Sequence, residues 1–193
     1  LTFETLAAMM LVVLLSNCKT KKQDDSPEIA KESNDAVLDD RDYEKAIGLF
    51  NKVITTEVDA LIRSQAMYWK AEAIYNQGQY EAAIKQYRIF IFNPPSINAP
   101  MYNTANYNMG YCYLKLENYG EANSWFRKYM RDKTATDAAR FNDALIRTGD
   151  GFFVLKDYDN ALSFYNDAIA AKGKGADYAL FQAGIIQGIK GNS

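Results

Sequence analysis

A pattern of small and large residues recurs along the chain at nearly constant intervals. In each copy a small residue is followed twelve positions later by alanine, four later by an aromatic residue, and three later by another apolar or aromatic residue. The copies are Ala71, Ala83, Tyr87 and Phe90; Gly110, Ala122, Phe126 and Tyr129; Gly149, Ala161, Tyr165 and Ala168; and a degenerate set at Asn34, Ala46, Phe50 and Val53. Equivalent positions lie 37, 39 and 39 residues apart, and a fifth half-copy begins near Gly184. Periods of this size indicate stacked two-helix units rather than one globular core.

The spacing predicts two helices in each unit. In the second unit we expect helices over about 64–76 and 80–92, separated by a short break in which Gly78 suits a left-handed helix end. The small residues Ala71 and Ala83 would let the two helices approach closely. Larger side chains further along the second helix would then fill the gap to the next unit.

These residues resemble the tetratricopeptide repeat (TPR) family. In the second unit the resemblance rests on Met67, Ala71, Ile74, Ala83, Tyr87, Phe90 and Pro95. In the third it rests on Gly110, Tyr113, Ala122, Phe126 and Tyr129, and in the fourth on Leu145, Gly149, Phe152, Ala161, Tyr165 and Ala168. The resemblance implies an all-α fold, namely a TPR-type right-handed α-solenoid of antiparallel helix pairs. It is specific for the fold and does not by itself specify a function.

We expect the repeat array to occupy residues 27–193. Its units would be 27–60, 64–97, 103–136 and 142–175, followed by a partial unit at 177–193. That partial unit would be a first helix without its second, with an apolar face that a further helix normally covers. We therefore interpret the chain as a piece of a longer array.

The first residues indicate export and lipid attachment. Residues 6–15 form an unbroken apolar run, too short for a membrane span, which needs roughly 20 residues, but typical of a secretory signal. The run ends in Leu15-Ser16-Asn17-Cys18, which resembles a bacterial lipoprotein processing site, so residues 1–18 are interpreted as a signal segment and 19–26 as a polar tether. Lipidation of Cys18 would place the protein in the bacterial cell envelope, as an outer-membrane lipoprotein. The alternative is a hydrophobic N-terminal helix with an incidental cysteine, in a cytoplasmic protein.

The composition gives little support to catalysis. The chain has no histidine, which removes the commonest general base and zinc ligand. Residues 172–175 lack the spacing of a phosphate-binding loop and are predicted to join two helices. Cys112 is predicted to be a buried small residue, and a net charge of −2 gives no argument for nucleic acid. We therefore expect no enzyme activity, cofactor, metal or small-molecule substrate.

The resemblance also implies a binding surface. First helices of the family line a concave groove that holds a peptide or a partner helix, and the corresponding residues here include Tyr68, Glu72, Tyr75, Tyr107, Tyr111, Asp143, Arg147 and Asp150. Tyrosines supply a large contact area at low ordering cost, although packing between units explains each of them equally well. Tyr68, Glu72 and Asp143 stand where a carboxylate clamp of the family needs lysine, asparagine and lysine. An apolar or basic segment is therefore the expected partner. Replacing Tyr68 and Tyr111 with alanine is expected to abolish partner capture and to leave the helical content intact.

Two functions of different classes follow. The first is a noncatalytic scaffold or adaptor, anchored in the cell envelope, that binds protein segments in its groove. The alternative is a TPR accessory domain of a larger enzyme or signalling protein whose active region lies beyond residue 193. A cytosolic co-chaperone is a third, weaker reading, because it conflicts with the apolar N-terminus and the missing clamp.

Overall fold

The structure, a computed structural model, describes residues 40–132 and 137–191. These residues form eight α-helices and contain no β-strand. The helices are α1 (Asp40–Thr56), α2 (Ala60–Asn76), α3 (Tyr80–Phe92), α4 (Tyr102–Lys115), α5 (Tyr119–Arg131), α6 (Ala138–Val154), α7 (Tyr158–Ala171) and α8 (Ala176–Gly191), with a short 3-10 helix at Pro94–Asn98. The predicted all-α class is confirmed.

Three of the connections between helices are turns of the same design. Three residues separate α2 from α3, α4 from α5, and α6 from α7. The central residue of each turn, Gly78, Glu117 or Lys156, is left-handed, with φ of 76°, 57° and 61°. A residue in this conformation ends the helix and lets the chain reverse direction within the three-residue turn. The two helices of each pair therefore run antiparallel.

Side chains at the helix starts satisfy backbone N–H groups that lack partners within the helix. The Asp59 carboxylate accepts hydrogen bonds from the amides of Leu61 and Ile62, and so α2 begins four residues earlier than the predicted Ser64. Asn118, Asp137 and Asp157 cap α5, α6 and α7 in the same way. At these four helices a polar side chain just outside the helix therefore helps to set its first residue.

The chain divides into two compact units, the second of which begins at Pro100. In the first unit α1 packs on α2, and α2 packs on α3. Ala46, Phe50 and Val53 of α1 form a buried cluster with Ala66 of α2. The ring of Tyr68 contacts the rings of Trp69, Tyr87 and Phe90 edge-on. Large aromatic side chains thus fill the spaces between helices, as the repeat pattern predicts.

In the second unit each helix from α4 to α8 packs on the next one. The small residues of the repeat lie under aromatic rings: a Cβ placed on Gly110 would come within 2.6 Å of the Phe126 ring, and one on Gly149 within 2.8 Å of the Tyr165 ring. Real side-chain atoms do not approach so closely. The close helix approach predicted for the small positions is therefore confirmed at both glycines.

Other sequence predictions agree with the helices. The glycines at 149 and 151 lie inside α6, residues 172–175 join α7 to α8, and Cys112 is fully buried in α4. The last helix spans Ala176–Gly191, close to the bounds of the predicted partial unit at 177–193. Several predictions concern residues outside the described ranges. These are the signal segment, the tether, Cys18 and the first helix of the repeat unit predicted at 27–60. Among the described helices, none is both long enough and apolar enough to cross a bilayer.

Candidate functional site

A carboxylate and two tyrosines join α4 to α6. Both hydroxyls donate to the same oxygen of Asp143, that of Tyr107 over 2.7 Å and that of Tyr111 beside it. Tyr107 and Tyr111 lie one helical turn apart on α4, and their rings meet edge-on with centroids 5.0 Å apart. The aromatic pair therefore presents two hydroxyls to one acceptor.

Arg147 links this carboxylate to a second one on the same helix. Its Nε lies 3.3 Å from Oδ1 of Asp143, and its Nη1 lies 2.9 Å from Oδ2 of Asp150. The three residues are spaced by four and three positions, which places them on one face of α6. Their side chains keep 20%, 32% and 18% of their surface exposed in chain order, so solvent and a ligand can reach them.

Asp150 gathers two more tyrosines from the following helices. Its Oδ1 accepts hydrogen bonds from the hydroxyl of Tyr165 on α7, over 2.7 Å, and of Tyr178 on α8, over 2.9 Å. The hydroxyl of Tyr178 in turn accepts a bond from the Gln182 amide. We call the whole set the tyrosine–aspartate network: Tyr107, Tyr111, Asp143, Arg147, Asp150, Tyr165 and Tyr178.

The network shifts the protonation equilibria of its members. Burial, followed by the negative charge of Asp143, raises the pKa of Tyr111 to about 12. Burial also raises the pKa of Tyr107 and of Tyr165 well above the ordinary tyrosine value, and the bond to Asp150 adds to the shift at Tyr165. Burial alone would lower the pKa of Arg147, but Tyr111, Asp143 and Asp150 outweigh it and raise that pKa. At neutral pH the tyrosines therefore remain protonated donors around two carboxylates and one guanidinium.

Five of the eight residues predicted to line a groove belong to this network: Tyr107, Tyr111, Asp143, Arg147 and Asp150. Three do not, because Tyr68, Glu72 and Tyr75 all lie on α2, in the compact unit that precedes Pro100. Tyr75 is half-buried and contacts Tyr80.

Tyr68 and Glu72 are only 4% and 1% exposed, which corrects their interpretation as groove-lining contacts. The hydroxyl of Tyr87 donates to the Glu72 carboxylate, which gives that buried acid a partner. Replacing Tyr68 with alanine would remove a packed ring from a core. The expectation that helical content survives this change therefore no longer follows.

The sequence reasoning missed two members of the network. It assigned Tyr165 to the core, where its ring does pack against Gly149, but not to a hydrogen bond with Asp150. It assigned no role to Tyr178. The available signal was the acid–base–acid spacing on α6, which indicates a charged face that neighbouring tyrosines can reach.

Two observations on the described residues concern metal and thiol chemistry. These residues contain no group of three or more His, Cys, Asp or Glu side chains able to hold a metal ion. Cys112 is fully buried, out of reach of a substrate. The network instead places fixed hydroxyls and carboxylates at a partly exposed surface.

The helical architecture of the chain has counterparts in known proteins. The sequence model of a family described as "Anaphase-promoting complex, cyclosome, subunit 3" matches residues 39–129, a little under half of the chain. No curated protein matches the sequence.

Several solved structures are similar in fold. MamA from Desulfovibrio magneticus RS-1 aligns with a TM-score of 0.62 at 14% identity, over 95% of this chain and 85% of that one. TPR-like repeats described as those of a kinesin light chain from Podosopora anserina align with a TM-score of 0.63 at 10% identity, over 96% and 90%. BtubC from P. vanneervenii aligns with a TM-score of 0.62 at 16% identity, over 78% and 67%.

The class of protein follows from the fold and these likenesses together. The chain has a fold of the tetratricopeptide-repeat type, built of antiparallel helix pairs. Its resemblance to that family is therefore confirmed, and such a fold is consistent with a protein-interaction scaffold.

Proposed function

We propose that the protein is a noncatalytic adaptor that holds a segment of a partner protein on the tyrosine–aspartate network. The observation that supports this most directly is the network's construction. Its side chains converge from α4, α6, α7 and α8 and are fixed by mutual hydrogen bonds, while its charged members remain partly exposed. Prearranged groups of this kind bind without a large ordering cost.

The charges of the network favour a cationic segment. Two carboxylates surround one guanidinium, so one negative charge is left over. Except at the fully buried Tyr165, a tyrosine oxygen that donates its proton to an aspartate can still accept a hydrogen bond from a ligand. A lysine or arginine side chain on an extended or helical segment would meet these acceptors, with its apolar stem against the tyrosine rings.

The double replacement Asp143→Asn with Tyr111→Phe tests this proposal. It removes one negative charge and one hydroxyl but keeps the shapes of both side chains. We expect loss of partner capture in crosslinking pull-downs, with helical content unchanged by circular dichroism. Asp167→Asn, an exposed acid on α7, is the matched control and should retain capture. Equal capture by the double variant would place binding elsewhere.

Salt provides a second readout of the same interaction. Because exposed charges are screened within about 8 Å at physiological ionic strength, a cationic partner should dissociate as salt is raised. An affinity that does not respond to salt would argue for an apolar partner.

We further propose that the protein is anchored in the bacterial cell envelope through a lipid on Cys18. The supporting evidence is the apolar run that ends at that cysteine. Replacing Cys18 with serine should move the protein from the membrane fraction to the soluble fraction. Tyr111→Phe with an intact Cys18 is the control and should stay in the membrane fraction. Membrane retention of the serine variant would refute the anchor and leave the adaptor proposal standing.

A further inference from the structure

Helix α3 exposes large apolar side chains, although described helices precede and follow it in the chain. Ile89 is 52% exposed, and Phe92, the last residue of the helix, is 72% exposed. Ile97, in the 3-10 helix that follows, is 66% exposed. Single exposed apolar residues are common on protein surfaces, but a group of them along one helix and its extension indicates a contact surface.

The repeat shows that these positions of α3 are exposed even where the neighbouring helices are packed in place. On α5, 39 residues later, Lys128 and Arg131 are the counterparts of Ile89 and Phe92. Helix α5 packs on both α4 and α6, yet Lys128 and Arg131 are exposed. Apolar side chains at these positions are therefore required neither by the helix pair nor by the packing of successive pairs.

Two bases lie on the same face of α3 as the apolar side chains. Lys85 and Arg88 precede Ile89 and Phe92 by one helical turn, and both bases are exposed. One acid, Glu81, lies a turn before Lys85. Basic side chains that flank isoleucine and phenylalanine form the kind of amphipathic surface that lies in a membrane interface. We call this set the α3 surface: Lys85, Arg88, Ile89, Phe92 and Ile97.

We propose that the α3 surface rests on a membrane that contains anionic phospholipids. The negative headgroups attract the two bases, while Ile89, Phe92 and Ile97 enter the boundary between headgroups and acyl chains. This inference goes beyond the adaptor proposal, and it rests in part on the lipid proposed for Cys18. Asp40, where α1 begins, follows Cys18 by 22 positions. A lipid at Cys18 would hold α3 near the bilayer, where a surface of low intrinsic affinity is sufficient.

A fluorescent probe at position 97 reports whether the α3 surface enters a bilayer. The full chain with Cys18→Ser, which cannot be lipidated there, would carry an environment-sensitive dye on Ile97→Cys, while the fully buried Cys112 stays unlabelled. We expect brighter, blue-shifted emission with vesicles of phosphatidylglycerol and phosphatidylcholine in equal parts. Phosphatidylcholine vesicles alone should give a much smaller change, because they lack the net negative charge.

The same dye on Ala170→Cys is the matched control. Ala170 is the exposed counterpart of Phe92 on α7, and its dye should show no shift with either vesicle. Since each dye responds only to its own surroundings, membrane binding through the apolar run at 6–15 does not by itself produce the signal at position 97.

Substitutions on α3 separate the apolar contribution from the charged one. Ile89→Ser with Phe92→Ser should lower the partitioning of the position-97 dye into anionic vesicles about tenfold or more, because two apolar side chains no longer leave water. Lys85→Gln with Arg88→Gln should lower it about tenfold, and raised salt should have the same effect on the unsubstituted protein. All four residues are exposed, so the circular dichroism of both variants should be unchanged.

Four results would overturn the proposal. The first is no emission shift at position 97 with anionic vesicles, and the second is an equal shift at position 170. The third is a shift that neither pair of substitutions reduces. The fourth is a shift with soluble polyglutamate but not with vesicles, which would assign the α3 surface to an acidic protein. None of them bears on the lipid anchor or the tyrosine–aspartate network, because the assay uses unlipidated protein and leaves the network intact.

Discussion

At the residue scale, the two contacts between a glycine and an aromatic ring fix how closely paired helices approach. Gly149 lies inside α6, where alanine is normally the better helix former by about 1 kcal/mol. A methyl group there would nevertheless meet the Tyr165 ring at 2.8 Å. We expect Gly149→Ala to destabilise the protein by about 1–3 kcal/mol, because overpacking outweighs helix propensity. Urea unfolding measures the difference.

The comparison with Gly48→Ala isolates the cause. Gly48 is also helical, but a methyl group on it meets nothing within 4 Å. That variant should gain up to about 1 kcal/mol. A gain of stability at both glycines would mean that the Tyr165 ring moves aside easily and does not set the helix spacing.

The raised tyrosine pKa values imply a loss of stability at alkaline pH. In the unfolded chain tyrosine titrates near pH 10, whereas Tyr111 in the fold titrates at about 12. A folded pKa above the unfolded one contributes stability that is complete below about pH 10 and disappears as the pH rises towards 12. Denaturant unfolding across this range should show the decline.

The variant Asp143→Asn tests whether the carboxylate causes part of this shift. Without that charge, Tyr111 should ionise closer to the ordinary value, and tyrosinate absorbance should appear at lower pH. If the same absorbance transition is missing in Tyr111→Phe, the transition belongs to Tyr111. An unchanged titration in Asp143→Asn would leave burial as the sole cause.

The members of the network were partly predictable, but their contacts were not. Asp143, Arg147 and Asp150 lie on one helical face because of their spacing alone. Tyr107 precedes Asp143 by 36 residues, and only the packing of α4 beside α6 brings their oxygens together. The burial of Glu72 was also hidden, because glutamate is almost never fully buried unless paired. Its partner, Tyr87, lies on a different helix.

At the element scale, the repeated turns show how much of the fold the local sequence encodes. Gly78 correctly predicts the end of α2, since glycine adopts positive φ without strain. The equivalent turns use Glu117 and Lys156 in the same conformation, so no glycine signals them. The sequence indicates the break there through the recurrence of the repeat, in which a tyrosine (Tyr119 or Tyr158) stands three residues before the alanine of the second helix. Helix starts were less predictable, because the aspartate cap of α2 lies before the apolar pattern begins.

A glycine at position 156 should therefore stabilise the protein through this turn. A side chain in the left-handed region costs about 1 kcal/mol or more relative to glycine. Part of that gain is offset because glycine is more flexible in the unfolded chain. We expect Lys156→Gly to stabilise the protein by about 0.5–1 kcal/mol in urea unfolding. The exposed Lys174→Gly, in the loop before α8, is the control and should not stabilise. A loss of stability in Lys156→Gly would mean that the lysine side chain makes a compensating contact.

At the scale of the whole molecule, stability is distributed along the chain. The first unit has its own buried cluster of α1 and α2, and the second has separate clusters around α5–α6 and α6–α8. Each helix of the second unit packs mainly on its sequence neighbours. In such arrays stability is a sum of local terms and nearest-neighbour interfaces rather than the property of one core.

This organisation predicts that damage stays local. Gly149→Ala disturbs the interface between α6 and α7, so amide hydrogen exchange should accelerate in α5 to α8. Exchange in α1 and α2, which belong to the other unit, should change little. Hydrogen exchange with mass spectrometry resolves these segments, and Gly48→Ala should show the converse, with slower exchange confined to α1 and α2. A uniform acceleration throughout α1–α8 in Gly149→Ala would show that the two units unfold as one. In that case the nearest-neighbour description would fail for this protein, because the energy of one glycine contact would be shared by every helix.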